Sequence, residues 1–302
     1  VSGSGKTTLV LESFVPALEA LTEGKPMPDH VRNIEAEGIR RVKLIDATPV
    51  GINVRSTVAT YCGALDDMRR AYARTDSAKA AGLKMGDFSY NTGSLRCATC
   101  DGTGQISLDV QFLPDVDIAC PDCRGSRYDT AAEKIRRPEK GAPDDQALSL
   151  PHLLALSVDE ALPHVADVKK AHKKLQTLHD LGLGYLTLGE ATPALSGGEA
   201  QRLKLASEMG RGQADAVFVF DEPTIGLHPR DVETLLGVFQ RLVEQGATVV
   251  VVEHDLDFIA NADYVIDMGP QGGKAGGRIV ACGTPEEIAA NRESITGGYL
   301  EI

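Results

Sequence analysis

The sequence predicts an α/β protein whose mostly parallel, helix-covered sheet carries a phosphate-binding loop and is interrupted by a helical insertion with a four-cysteine zinc module. Three observations predict it. The chain starts inside a glycine-rich loop, Val1-Ser-Gly-Ser-Gly-Lys-Thr-Thr8. Its last third alternates apolar runs of strand length with a helical pattern. Its middle holds two Cys-x-x-Cys pairs, Cys97/Cys100 and Cys120/Cys123.

Taken in chain order, the opening residues match the end of the pattern G-x-x-x-x-G-K-S/T, whose first glycine falls one position before Val1. A buried strand feeds such a loop, so the sequence reads as N-terminally truncated, a segment of a longer protein. Thr7 to Leu21 reads as the helix whose N-terminus faces the phosphates, Gly24 to Asp29 as a polar connection and Val42 to Ile45 as a short strand. Spacing is helical from Tyr61 to about Ala81. Gly86 to Tyr128 is rich in Gly, Cys and Asp without periodicity, so its order is expected to come from a metal. Lys134 to Ser149 is charged, contains Pro138 and Pro143, and reads as a surface connection. Helical patterns resume from Ser157 to Leu181.

Ala216 to Phe220 is a continuous apolar run of strand length, and Val232, Leu235, Leu236, Phe239, Leu242 and Val243 fit one helical face. Thr248 to Val252 is a second apolar strand, with further strands expected at Tyr264 to Met268 and Arg278 to Cys282. Strands alternating with helices imply a mostly parallel sheet.

With 302 residues, 42% of them hydrophobic, the chain can bury the cores of two domains, which excludes a disordered or fibrous protein. No apolar run approaches the ~18 residues of a membrane span. Nothing at the start resembles a signal peptide. The expectation is a cytoplasmic chain with no membrane contact. Lys+Arg 31 against Asp+Glu 43 gives a net charge of -12, so any nucleic-acid face must be a local basic patch. The absence of Trp and only 5% aromatic residues speak against an aromatic platform for stacking bases.

Gly3 and Gly5 let backbone amides wrap phosphates around Ser4, Lys6 reaches the β and γ phosphates, and Thr7, followed by Thr8, supplies a hydroxyl for Mg²⁺. The run Val217 to Phe220 ends in Asp221-Glu222, two carboxylates at the carboxyl end of a strand, where such sheets bind ligands. Asp221 would hold Mg²⁺ through water, and Glu222 would orient and deprotonate an attacking water. Leu195-Ser-Gly-Gly-Glu199 opens a helix, a second anion-binding N-terminus formed by Ser196, Gly197 and Gly198. His254 follows the apolar strand and Glu253.

Residues 101–119 separate the two Cys-x-x-Cys pairs, a spacing suited to one four-cysteine Zn²⁺ site. Gly-containing turns after each pair, Asp101-Gly-Thr-Gly104 and Arg124-Gly125, leave room for amides to turn toward the thiolates. Cys62 and Cys282 read as ordinary apolar residues. Arg96, Arg124, Arg127, Lys134, Arg136 and Arg137 concentrate positive charge in and after this module, a candidate phosphate-contacting patch.

The loop, the Leu195-Ser-Gly-Gly-Glu199 signature, the strand ending in Asp221-Glu222 and the later His254 together resemble the ATP-binding-cassette ATPases. That resemblance implies that Ser196, Gly197 and Gly198 contact ATP held by a different cassette and that His254 contacts the γ phosphate, with Lys6, Glu222 and His254 forming the catalytic set. The four cysteines between loop and signature narrow the resemblance to the UvrA family of the bacterial excinuclease system. The stretches carrying it are Phe88-Ser-Tyr-Asn-Thr-Gly93, Cys97 to Gly104, Phe112-Leu-Pro-Asp115, Leu175-Gln-Thr-Leu178, Leu195 to Arg202, Asp221-Glu-Pro-Thr-Ile-Gly-Leu-His228 and Gly269-Pro-Gln-Gly-Gly273.

It implies the C-terminal cassette of a two-cassette DNA-damage sensor of bacterial nucleotide excision repair, an ATPase and not itself a nuclease. ATP, Mg²⁺ and Zn²⁺ would be its cofactors. Damaged double-stranded DNA, a second cassette and a UvrB-type excinuclease protein would be its partners. The implied division is an ATP-binding core at 1–58 and 212–302 around a signature domain at 59–211, with the zinc module at about 88–128. The chain departs from the family at Asp46-Ala-Thr-Pro49, where the family has Asp-Gln-Ser-Pro, and keeps only Gly51 and Arg55 of the family's Gly-Arg-Thr-Pro-Arg. These changes leave open a paralogue giving self-resistance to DNA-binding drugs, or a DNA-binding cassette with little turnover.

Overall fold

An apolar strand flanked by two parallel neighbours organises the first part of the computed structural model, which describes residues 3–51, 53–108, 116–138, 147–209, 213–225, 227 and 229–301. After the phosphate loop one continuous helical segment comprises α1 (Lys6–Thr8), a π-helical stretch (Leu9–Phe14) and α2 (Val15–Glu23), and ends on left-handed Gly24. Strand β1 (Arg41–Ile45) follows, then α3 (Val58–Tyr61), α4 (Ala64–Tyr72) and α5 (Asp76–Ala80). Hairpin β2 (Gln105–Leu108) and β3 (Val116–Ala119) precedes the short antiparallel pair β4 (Arg136–Arg137) and β5 (Leu148–Ser149). Helices α6 (Leu150–Leu154), α7 (Val158–His164), α8 (Lys169–Asp180) and α9 (Gly197–Glu208) come next. The last stretch runs β6 (Ala216–Asp221), α10 (Pro229–Glu244), β7 (Thr248–Val252), α11 (Leu256–Ala260), β8 (Val265–Gly269), β9 (Arg278–Gly283) and α12 (Pro285–Ala290).

Two units result, Val1–Thr48 with Met209–Ile302, and Pro49–Glu208. In the first, the sheet order is β1-β6-β7, all parallel, with Ile45 opposite Phe220 and Asp221 opposite Val252. Ala216 to Phe220 are all buried because both faces are covered. Val15 and Leu18 pack on Val217 and Val219. Phe239 packs on Phe220 with ring centroids 4.3 Å apart and meets Phe258 at 5.3 Å. The parallel pattern stops there. β8 and β9 form a separate antiparallel hairpin, because residues 270–277 between them hold only a 3₁₀ turn and are too few for the crossover a parallel pair needs.

In the second unit the stretch read as helical from Tyr61 to Ala81 is broken into α3, α4 and α5. Gly63 adopts φ 72 between the first two, and Thr75 caps the third by accepting from the Ala78 amide. The periodic stretch at Ser157 to Leu181 is likewise divided, with Pro163 in the last turn of α7. The core includes a tyrosine-rich cluster in which Tyr72 meets Phe88 at 6.2 Å and Tyr90 meets Tyr128 edge-on at 5.9 Å. Each buried hydroxyl finds a carbonyl: Tyr72 donates to Leu148 O, Tyr90 to Arg55 O and Tyr128 to Phe88 O.

Candidate nucleotide site and metal centre

Gly3 (φ 72) and Gly5 (φ 91) take left-handed conformations that a side chain would strain. The turn between β8 and β9 braces the loop, the Gly273 amide donating to Gly3 O at 3.1 Å and the Gly277 amide to Ser4 O at 2.9 Å. Carbonyls are thereby engaged in a loop whose chemistry is carried by N–H groups. Lys6, Thr7 and Thr8 form α1, and Thr7 Oγ1 donates to Asp221 Oδ1 at 3.1 Å. Two hard oxygen donors from distant parts of the sequence thus meet where a divalent cation suits them.

Parallel pairing of β6 and β7 sets the carboxyl ends of both strands side by side. Glu222 has φ 46, its amide donates to Val252 O at 2.9 Å, and its Oε1 lies 3.9 Å from His254 Nδ1. Such a left-handed glutamate is strained and clusters with functional positions. Glu253, which the motif reading left without a role, is the hub of this corner. Its side chain is only 4% exposed. Oε1 accepts from Thr224 N and Oγ1 at 2.9 and 2.5 Å, and Oε2 accepts from His254 N and Asp255 N at 2.8 and 3.2 Å. An acidic residue directly after an apolar strand was the signal available for it.

A cavity of about 1100 Å³ in the same unit is lined by Lys6 together with Val250, Val252, Phe258, Ile266 and Met268. Its wall is mainly apolar, with Glu253 and His254 joining Lys6 as polar groups on its lining.

The signature residues lie in the other unit. Ser196 caps α9, whose first residues are Gly197 and Gly198. The Ser196 amide donates to Glu199 Oε2 at 2.7 Å while the Glu199 amide donates to Ser196 Oγ at 3.4 Å, a reciprocal capping box. Tyr185 Oη donates to the other carboxylate oxygen at 2.5 Å.

Cys97, Cys100, Cys120 and Cys123 are buried, and their sulfurs all lie within 4.8 Å of one another. The contacts Cys97–Cys120 and Cys100–Cys123, 3.9 and 3.6 Å, suit sulfurs on a tetrahedral ion with bonds of about 2.3 Å. The knuckles turn through left-handed Asp101-Gly102 and Arg124-Gly125, and a Cβ on Gly102 would collide with Tyr90 O. The Gly104 amide donates to Cys100 Sγ at 3.3 Å. Burial pushes the Cys100 thiol up, but this amide and the neighbouring thiols outweigh it and bring it down to about 7. Donor type, spacing and amide support fit Zn²⁺. Of the two other cysteines, Cys62 is buried and Cys282 exposed.

The basic cluster divides. Arg124, Lys134 and Arg136 are exposed. Arg127, expected in a nucleic-acid patch, instead turns inward. It is 7% exposed, stacks its guanidinium 5.2 Å from the centre of the Tyr90 ring and donates to Val54 O at 2.9 Å. Its backbone is left-handed, at φ 73. Arg137 pairs with Asp167, and Arg96 pairs with Asp101 at 2.7 Å. Asp101 also holds Arg55 at 3.0 Å. Phe112 to Asp115 and His228, part of the motif evidence, lie outside the described residues.

A glycine-rich phosphate loop, an Asp-Glu strand end beside it and a separate Ser-Gly-Gly signature helix define an ABC-type P-loop ATPase fold. No protein-family model matches the chain. It is 45% identical over 305 residues to UvrABC system protein A of Streptococcus pyogenes serotype M6, covering 100% of this chain and 32% of that protein. Against the Bacillus subtilis protein of the same name identity is 46% over 304 residues, covering 100% of this chain and 31% of the relative. The crystal structure of UvrA2 from Deinococcus radiodurans matches with a TM-score of 0.85 and 42% identity, over 99% of this chain and 35% of that one. The chain is UvrA-family sequence throughout and spans about a third of the length of these relatives. No helix among the described residues is long and apolar enough to cross a membrane.

Proposed function

We propose that the chain is the C-terminal ATPase cassette of a UvrA-type protein, in which ATP hydrolysis is coupled to recognition of damaged duplex DNA and its handover to a UvrB-type excinuclease partner in nucleotide excision repair. The observation that carries this reading is the Thr7–Asp221 contact, which joins the phosphate loop to the acidic strand end in a UvrA-family chain. The unit containing residues 1–48 and 209–302 serves as ATP-binding core, and the unit 49–208 as signature domain.

In this reading the loop amides of Gly3 to Thr8 and the Lys6 ammonium hold the phosphates. Thr7 and Asp221 would hold Mg²⁺, which would supply positive charge to balance that on the transferred phosphoryl group. Glu222 orients the attacking water and takes its proton as the bond between β and γ phosphates breaks. His254, 3.9 Å from Glu222, contacts the γ phosphate. Ser196, Gly197 and Gly198 act on ATP held by a second cassette, so two cassettes complete each site. The four cysteines hold a structural Zn²⁺. Arg124 and Arg136, together with Arg96, meet DNA phosphates, and damage is read through duplex deformability rather than base edges.

ATP turnover of the full-length protein, measured with and without damaged duplex, tests the reading together with Glu222→Gln. That variant should bind ATP normally and lose about 10²- to 10⁴-fold in turnover. Turnover near the wild-type rate in the variant would remove Glu222 from the chemistry. Wild-type turnover indifferent to damaged DNA would leave a cassette uncoupled from damage recognition.

A further inference from the structure

We propose that Tyr185 is a positioning residue for the signature serine, gripping Glu199 so that Glu199 holds Ser196 in register at the start of α9. The inference rests on the role given above to Ser196 and adds a residue outside the signature itself.

Tyr185 is 61% exposed, so burial does not keep its ring in place. Its loop is held instead. Val158 N donates to Leu186 O and Asp159 N to Gly184 O, both at 2.9 Å, which ties the residues on either side of Tyr185 to the first turn of α7. A Cβ on Gly184 would overlap the Asp159 carboxylate, itself bonded to His179 Nδ1 at 2.7 Å. From this anchored loop Tyr185 Oη reaches Glu199 Oε1 at 2.5 Å, while Glu199 Oε2 takes the Ser196 amide at 2.7 Å. A capping glutamate held through one oxygen can rotate. Held through both oxygens, by donors from two different segments, it cannot.

Ser196 Oγ accepts from the Glu199 amide at 3.4 Å, which ties the serine oxygen to the first turn of α9. One turn further along, Arg202 is 9% exposed, and its Nε and Nη1 have no hydrogen-bond partner among the described residues. Its charge lies close enough to act on both Glu199 and Tyr185. Burial pushes the Glu199 carboxyl up, but the Tyr185 hydroxyl, the Ser196 amide and hydroxyl and the Arg202 guanidinium outweigh it and hold the carboxyl below its usual range. Glu199 therefore remains a charged acceptor into acid, and loss of the Tyr185 hydroxyl raises the pH at which it protonates.

The test compares Ser196→Ala, Tyr185→Phe, Glu199→Gln and the Tyr185→Phe/Glu199→Gln double variant in the full-length protein, by steady-state ATP turnover across pH. Tyr185→Phe keeps the exposed ring and should not shift the unfolding midpoint. It should lower kcat about 3- to 10-fold, leave KM for ATP within about 2-fold and move the acid limb of kcat to higher pH. The double variant should be no slower than the worse single one, because both changes break one chain of bonds. Unchanged kcat in Tyr185→Phe, or additive losses in the double variant, would overturn the positioning role provided that Ser196→Ala is slow. Normal turnover in Ser196→Ala would instead overturn the reading of the signature on which the inference rests.

Discussion

Thr7 and Asp221, 214 positions apart in sequence, meet through a hydroxyl-to-carboxylate hydrogen bond of 3.1 Å. The contact exists because α1 begins at the phosphate loop and β6 ends beside it. In Asp221→Asn the carboxylate charge is lost while the shape is kept, so ATP turnover should require about 10-fold more Mg²⁺ for half-maximal rate, the effect of about 1.4 kcal/mol in cation affinity. A Mg²⁺ titration of turnover checks it, and an unchanged midpoint would separate Asp221 from the metal.

The four cysteines should bind one Zn²⁺ per chain, with chelation disordering the knuckles before the ATP-binding unit. Structural zinc contributes on the order of 10 kcal/mol to such modules. Arg127 and Tyr128 follow the second knuckle directly and pack on Tyr90, so the loss should appear in tyrosine near-ultraviolet circular dichroism. Metal analysis of freshly purified, reduced protein gives the stoichiometry. A zinc-free protein with intact tyrosine signal would show that the cysteines hold together unaided.

Glu253 collects four donors with a side chain only 4% exposed. Glu253→Ala leaves those donors short of an acceptor and should destabilise its unit by about 2–4 kcal/mol. Glu253→Gln retains one oxygen and should cost less. Denaturant midpoints of the two variants decide. Equal small losses in both would mean that water replaces the carboxylate.

What could be read in the sequence was local. The Gly3 to Thr8 loop, the buried run of β6 and the spacing of Cys97, Cys100, Cys120 and Cys123 each announce their chemistry within a few residues. Glu253 and Tyr185 do not, because their partners Thr224 and Glu199 are brought to them by the fold. Gly63 breaks a helix whose periodicity continues across it. Short helices α6 and α12 lay below the reach of periodicity, although Ser149 with Pro151 and Thr284 with Pro285 and Glu287 carry N-terminal capping signals. Arg127 is the clearest reversal. Its charge suggested solvent, and the Tyr90 ring and the Val54 carbonyl hold it inside.

With Arg127 and Arg137 engaged inside the protein, Arg124 and Arg136 are, with Lys134, exposed members of the basic cluster able to meet phosphates. Replacing both by Ala should weaken DNA binding for every sequence alike and reduce the slope of log affinity against log salt by up to about 0.9 per lost contact. Binding isotherms at several salt concentrations measure it. An unchanged slope would make these arginines a solvated face.

Ala47 stands where the resemblance to the UvrA family implies a glutamine, and the backbone around it shows what surrounds the position. The segment after β1 is bent rather than extended. Thr48 donates its hydroxyl to Asp46 Oδ1 at 2.6 Å and its amide to the same oxygen at 3.3 Å, so the Asp46 carboxylate is engaged in shaping the turn. The turn itself is closed by side chains on either side of Ala47, whose own methyl is exposed. A longer side chain can therefore be placed there without unfolding the turn. ATP affinity has little reason to depend on it, since Lys6, Thr7 and Asp221 belong to other elements. Lost with the amide is a group able to sense the γ phosphate and act on the chain that runs on through Pro49 to Arg55, where Arg55 holds Asp101 of the first knuckle. Ala47→Gln should thus increase the stimulation of ATP turnover by damaged DNA while leaving nucleotide affinity nearly unchanged. Paired turnover and nucleotide-binding measurements on the full-length protein and the variant test it, and identical stimulation in both would make this position silent.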